Sequence, residues 1–137
     1  MALSAGRNTA ELLLNGQSIV LPVAAGAVIF DGSLVVLNAT GYAEAATKAE
    51  GLTAAGRAEE YVDNRNGVDG DLTVKVKRGA FVWDNTITEA NKVKPEHVLK
   101  DCYIEDDCTV TALATGSSRA GKVLAVSDDG SVTVETL

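Results

Sequence analysis

Chemistry needs reactive side chains at a productive spacing, and four stretches of this 137-residue chain offer candidates. The first is Gly116–Val123, GSSRAGKV, which fits G-x-x-x-x-G-K with Val123 where a phosphate loop needs Ser or Thr. In a true loop that hydroxyl binds magnesium, and the backbone amides face the phosphates because a helix begins there. Here Lys122 opens the alternating run VLAVS, which reads as a strand, and no Walker-B aspartate with its own strand accompanies it. Nucleotide binding is not expected, and Ser117-Ser118-Arg119 reads as a surface loop feeding the last hairpin.

The second candidate is Asn64–Asp71, NRNGVDGD, whose acids suggest calcium. The EF-hand register fails, because Gly67 at loop position 6 puts Val62 first and Gly70 there puts Arg65 first. Asp63, Asp69 and Asp71 remain as an adventitious cation set, and a turn between strands is the expectation. The third is His97, the one histidine, which has no Ser, Cys or Asp at a motif spacing and reads as a helix residue rather than a base.

The fourth is the pair Cys102 and Cys108, enclosing YIEDD. Two thiols and one distant histidine are too few ligands for a structural zinc. With Asp106-Asp107 central in a hairpin, Cys102 faces Thr111; a five-residue loop instead brings the cysteines together. Both registers stay open, and the disulfide with them, although a cytosol-like compartment favours free thiols. No Ser-His-Asp set and no dinucleotide fingerprint is present, and the carboxylates single out no pair. The chain is therefore expected to be no enzyme, with no cofactor and no metal.

The elements carry more information. Leu72–Trp83, LTVKVKRGAFVW, alternates Leu72, Val74 and Val76 with Thr73, Lys75 and Lys77, the period of a half-buried strand. Arg78-Gly79 breaks it as a turn or bulge, and Ala80–Trp83 resumes an apolar run, so a central strand pair is expected, anchored by Phe81 and Trp83. Upstream, Ser18–Leu21, Ala27–Phe30 and Leu34–Leu37 read as strands, and Asp31-Gly32 reads as a hairpin turn. Ala43–Glu50 reads either as a helix turn or as a loop over the sheet. Leu52–Ala58 and Glu60–Asp63 read as a strand broken at Gly56, where a bulge fits.

Pro95–Leu99 has the marks of a short helix, with Pro at its start and Glu96 at the positive dipole end. At the C-terminal hairpin a three-residue loop, Asp128-Asp129-Gly130 with Gly130 left-handed, sets Val126 against Val132 and Leu124 against Val134. That register gathers the large apolar residues on one face, and a one-residue slip would invert the faces.

These elements predict a mainly β protein: a compact β-barrel or β-sandwich-like domain over 17–137, with one short helix near 95–100 and an extended N-terminal arm over 1–16. The 46% apolar content suffices for a core, while aromatics at 4% leave it to Val, Leu, Ile and Ala. Twelve Lys and Arg against nineteen Asp and Glu, a net charge of −7, provide no clustered basic surface for nucleic acid. No window reaches the ~18–20 apolar residues of a membrane helix, and no apolar segment follows the N-terminal Arg7 as an export signal requires, so a cytosol-like compartment is expected.

The order of features resembles a known family. GYAEAAT, GLTAAGRAEEYVDN and GVDGDLTVKVKRGAFVW, followed by CYIEDDCTV and SRAGKVLAVSDDGSVTVET, look like the small capsid decoration (cement, head-stabilising) proteins of tailed bacteriophages. The resemblance runs from about Gly32 to the C-terminus. It rests on Gly56-Arg57-Ala58, on Val74–Phe81 with its Arg78-Gly79 break, and on Arg119-Ala120-Gly121-Lys122-Val123. It implies a structural virion protein, made in the host cytoplasm, that binds the outer face of an assembled head and stabilises it. Its implied partners are the major capsid protein lattice and itself, as a homo-oligomer with a trimer favoured. An arm-mediated contact carries onto Met1–Asn15, with Thr9, Glu11, Leu12, Leu13 and Leu14 as the contact residues. The competing reading is a stand-alone β-barrel ligand-binding module, or a small enzyme without a recognisable motif.

Overall fold

The computed structural model describes residues 4–5 and 18–137. Thr9, Glu11 and Leu12–Leu14, expected to make the capsid contact, lie outside the described residues. The first half of the chain forms β1 (Ser18–Pro22), β2 (Val28–Ile29), β3 (Leu34–Leu37), β4 (Ala43–Ala45), β5 (Thr53–Ala58), β6 (Val62–Asp63) and β7 (Thr73–Lys77). Five of these make one sheet in the order β1-β7-β5-β3-β4, while β2 and β6 pair as a separate ribbon. A parallel bridge from Val23 to Ala43 brings the two ends of the five-stranded sheet together. The second half forms β8 (Gly79–Asn85), β9 (Asp101–Ile104), β10 (Thr109–Thr111), β11 (Arg119–Val126) and β12 (Val132–Thr136), which close into a barrel in the order β10-β8-β12-β11-β9. The fold is mainly β, as expected, and it is a barrel rather than a sandwich. Among the described residues no helix is long and apolar enough to cross a membrane.

Two apolar cores result. Val23, Ile29, Val35, Val74 and Val76 fill the first, and Trp83, Ile104, Val110, Val123, Val132 and Val134 belong to the second. The strand β3 serves both. Its unbroken run Leu-Val-Val-Leu sends Val35 into the first core and Leu34 and Val36 into the second, so both faces of the strand are covered. A continuous apolar run is what such a doubly covered strand needs, where a half-buried one alternates. Each fully buried Val or Leu contributes about 1.5–3 kcal/mol. The joint is reinforced by Leu34 N–H donating to Asp107 O at 2.8 Å.

The expected strand pair in 72–83 is corrected. Val74 and Val76 are buried and Thr73 and Lys75 exposed, as the alternation requires, but β7 and β8 lie in different sheets and do not pair. Arg78-Gly79 is the passage from one unit to the other. Leu72 stands 42% exposed before β7 begins, although its carbonyl accepts Val23 N–H and so continues the β1–β7 ladder. Val82, inside the apolar run, is 64% exposed, so β8 also alternates and buries Trp83. Asp31-Gly32 does form a tight turn, with Ser33 N–H donating to Phe30 O, but β2 and β3 pair with other strands and no hairpin joins them. The helix alternative for 43–50 is also corrected: Ala43–Ala45 adds to β3 as an outer strand, and a loop follows.

Gly56 marks the expected bulge. Val35 faces Gly56 and Val36 faces Ala54, so Ala55 is the extra residue. Gly56 has φ +146°, and a Cβ there would overlap the carbonyl of Lys77. The C-terminal hairpin has the expected loop, with Val126 facing Val132 and Gly130 at φ +91°. Beyond Ala125 a bulge at Leu124 changes the register, so Val123 rather than Leu124 faces Val134, and Val123 is the residue fully buried. The short helix near 95–100 is a three-residue 3-10 turn, Pro95–His97, and a second one spans Glu89–Asn91.

Candidate functional site

The four stretches singled out for chemistry have structural employment. His97 is half-buried, and its Nδ1 accepts Lys94 N–H at 2.8 Å, closing the 3-10 turn. In the 64–71 loop the carboxylates are dispersed among separate tasks. Asp69 accepts Ala25 N–H at 2.8 Å, Asp71 accepts Val68 N–H at 3.0 Å, and Asp63 binds Arg65 at 2.6 Å. That ion pair holds the Asp63 carboxyl down at about 2. Asn64, buried at the base of the loop, donates to Ala24 O and Val68 O and fixes its shape.

Gly116–Val123 leads into β11 rather than a helix, as its alternation predicts. The reading of Ser117-Ser118 as a surface loop is corrected. Ser118 is buried; its hydroxyl donates to Ala49 O at 2.6 Å and accepts Leu52 N–H at 3.0 Å. Ser117 donates to Ile104 O. The Ser118 hydroxyl therefore staples the second unit to the loop that precedes β5, while the Ser117 bond stays within the second unit.

The hairpin β9–β10 adopts neither register considered for the cysteines. Ile104 faces Val110 and Tyr103 faces Thr111, one step from the two-residue loop. Both thiols are free: Cys102 is buried and pushed up to about 12 by that burial, while Cys108 is exposed at the tip. Cys108 is also raised, since burial and the neighbouring Asp106 and Asp107 outweigh the Thr109 hydrogen bond that lowers it. The ligand atoms of Asp106, Asp107 and Cys108 lie within 4.8 Å of one another, the one such group among the described residues. Asp106 is already engaged by Cys108 N–H at 2.9 Å.

A site that motif reading missed lies where the two units meet. Arg57 in β5 and Lys77 in β7 are direct cross-strand partners, and Arg78 follows at the passage into β8. With Phe81 and Glu135 they line a cleft of about 410 Å³. The Arg57 guanidinium sits 4.8 Å from the centroid of the Phe81 ring and binds Glu59 at 2.8 Å. Arg78 donates to Ala55 O at 3.0 Å, which ties its side chain to the bulge residue. Such a cleft can take a carboxylate or another anion through a planar fork and a point charge. The signal was present in the sequence: each arginine adjoins a glycine at a strand irregularity, Gly56-Arg57 and Arg78-Gly79, and those irregularities place the two beside each other.

The second surface is the outer edge of β1. It bonds to β7 along Ser18–Pro22, and among the described residues its other edge has no ladder partner. Val20 on that strand is 63% exposed. Phe30 and Tyr61 form an exposed aromatic pair, with centroids 5.6 Å apart. Comparison with known protein families, curated proteins and solved structures gives no match for this chain.

Proposed function

We propose that the protein is a structural virion component that binds the outer surface of an assembled phage capsid and stabilises it. The observation that carries this reading is the outer strand β1, with an unpaired edge among the described residues, immediately after residues 1–16 in the chain. An unpaired edge accepts a further strand, main-chain bonds supplying affinity and alternate side chains supplying register. The resemblance of the order of sequence features to capsid decoration proteins supports the same reading. Under it, Thr9, Glu11 and Leu12–Leu14 meet the major capsid protein lattice, and the protein acts as a homo-oligomer, a trimer favoured. It uses no catalytic group or cofactor and contacts neither nucleic acid nor membrane. It is made in the host cytoplasm and resides on the outer face of the virion.

Co-sedimentation with purified expanded heads tests the proposal. Binding to expanded heads but not to unassembled shell subunits is the expected result, together with greater head resistance to heat. A protein that stays in the supernatant at saturating head concentration overturns it. Deleting residues 1–15 should reduce binding at least tenfold if the arm is the contact. The alternative, a stand-alone ligand-binding module, is favoured by one observation, the cation-lined cleft. Uptake of a small dicarboxylate by a protein that ignores heads would support that alternative.

A further inference from the structure

The cleft between the units concentrates positive charge in a chain whose net charge is −7. Like charges directly opposite one another weaken a sheet, yet Arg57 and Lys77 occupy opposed positions. Glu59 offsets Arg57. Lys77 and Arg78 form no ion pair among the described residues, and Glu135 is the one acidic residue in the lining. Arg78 uses part of its fork on Ala55 O, which leaves most of its donors for a ligand.

The strands β8 and β12 lead from this cleft to the other end of the barrel, where the charge is opposite. Gly79 and Thr136 pair at the cleft end, and Trp83 and Val132 pair near the far end. Beyond them Asp84 and Asp129 line a second cleft of about 430 Å³; Lys92, the one cation in that lining, is offset by Glu89 at 3.2 Å, and Asp128 is exposed beside the cleft in the same turn. Ile87 lies in that lining and is 93% exposed. The five residues of β12 set the two ends about 17 Å apart.

We infer that the protein self-associates head to tail, the acidic barrel end of one copy seated in the cationic cleft of the next. Asp84 and Asp128 face Lys77 and Arg78, and Ile87 packs against the apolar wall that Phe81 provides. The inference rests on the proposed function for the expectation of a homo-oligomer, and on the charge geometry for the surface. Contacts between two different patches close into a ring when the rotation per copy permits and otherwise extend as a filament. Charge complementarity orients the docking, and the apolar pair excludes water from its middle.

Sedimentation velocity on the full chain tests this with two variants. Lys77→Glu reverses the cleft while keeping the Arg78 bond to Ala55. Asp84→Lys with Asp128→Lys reverses the far end while keeping Asp129, which holds Ser131. Wild type should assemble, and raising salt from about 0.05 to 0.5 M should weaken assembly roughly tenfold by screening. Each variant alone should sediment as a monomer with an unchanged circular dichroism spectrum. An equimolar mixture should assemble again, since each variant then carries the complement of the other. A wild type that is monomeric throughout, variants that assemble as wild type does, or a mixture that stays monomeric overturns the inference. Head binding by the monomeric variants would leave the capsid proposal standing without it. Assembly by a wild type that ignores heads would leave the inference standing without the capsid proposal.

Discussion

At the residue scale, two chemically identical thiols six positions apart in the chain differ because one sits inside the barrel and the other at a hairpin tip. Burial keeps Cys102 protonated far above neutral pH, and a protonated, inaccessible thiol is a poor nucleophile. At pH 8 iodoacetamide should modify one thiol per native chain, at Cys108, and the second only in denaturant, as peptide mass mapping will show. Two modified thiols in the native state would contradict the burial of Cys102. Leu99 is a second local case. It is exposed, has φ +67° and donates its N–H to Val123 O at 2.7 Å. A left-handed conformation costs a non-glycine residue roughly 1–2 kcal/mol, part of which glycine would return as unfolded-state entropy. Leu99→Gly should raise the unfolding free energy by about 0.5–1 kcal/mol in a urea titration.

At the element scale, strand positions were legible where punctuation and periodicity agreed. Leu34–Leu37 begins and ends where its apolar run does, and the Asp128-Asp129-Gly130 loop follows from turn chemistry and face matching. What could not be read was partnership. Asp31-Gly32 carries the local chemistry of a hairpin turn, but β2 is drawn to β6 by contacts distant in sequence, and β3 pairs with β5 and, across a short connection, with β4. The bulge at Leu124 was equally hidden, because one extra residue changes which of Val123 and Leu124 points inward without altering composition. The candidate cleft was legible only in part: Gly56-Arg57 and Arg78-Gly79 stand out in the sequence, but Arg57 and Lys77 become neighbours only through the pairing of β5 with β7. Gly56 is the element-scale test. Gly56→Ala forces a Cβ against the Lys77 carbonyl at a φ that L side chains rarely adopt, and should cost about 2–4 kcal/mol. Chemical denaturation reads this, and a loss below 0.5 kcal/mol would show that the bulge can relax.

At the scale of the whole molecule, the two cores are not independent, because β3 belongs to both. Leu34→Ala removes buried volume from the second core and should cost about 2–5 kcal/mol. Since Val35 on the same strand seats in the first core, both units should lose stability together. Trp83 fluorescence reports on the barrel, and exchange protection of the Val74 and Val76 amides reports on the five-stranded sheet. A shared decrease is expected; an undisturbed first sheet would show that the units unfold separately.

The doubly seated strand also determines how the molecule bears tension. A pull that tries to part the barrel from the five-stranded sheet must withdraw Leu34 and Val36 from one core while Val35 stays lodged in the other. The same pull strains the Leu34 bond to Asp107 and both Ser118 bonds, which cross the joint at other points. No single contact carries the load, and the ladders on both edges of β3 lie between the applied force and rupture. The protein is built as a rivet, with a head on either side of one four-residue shank.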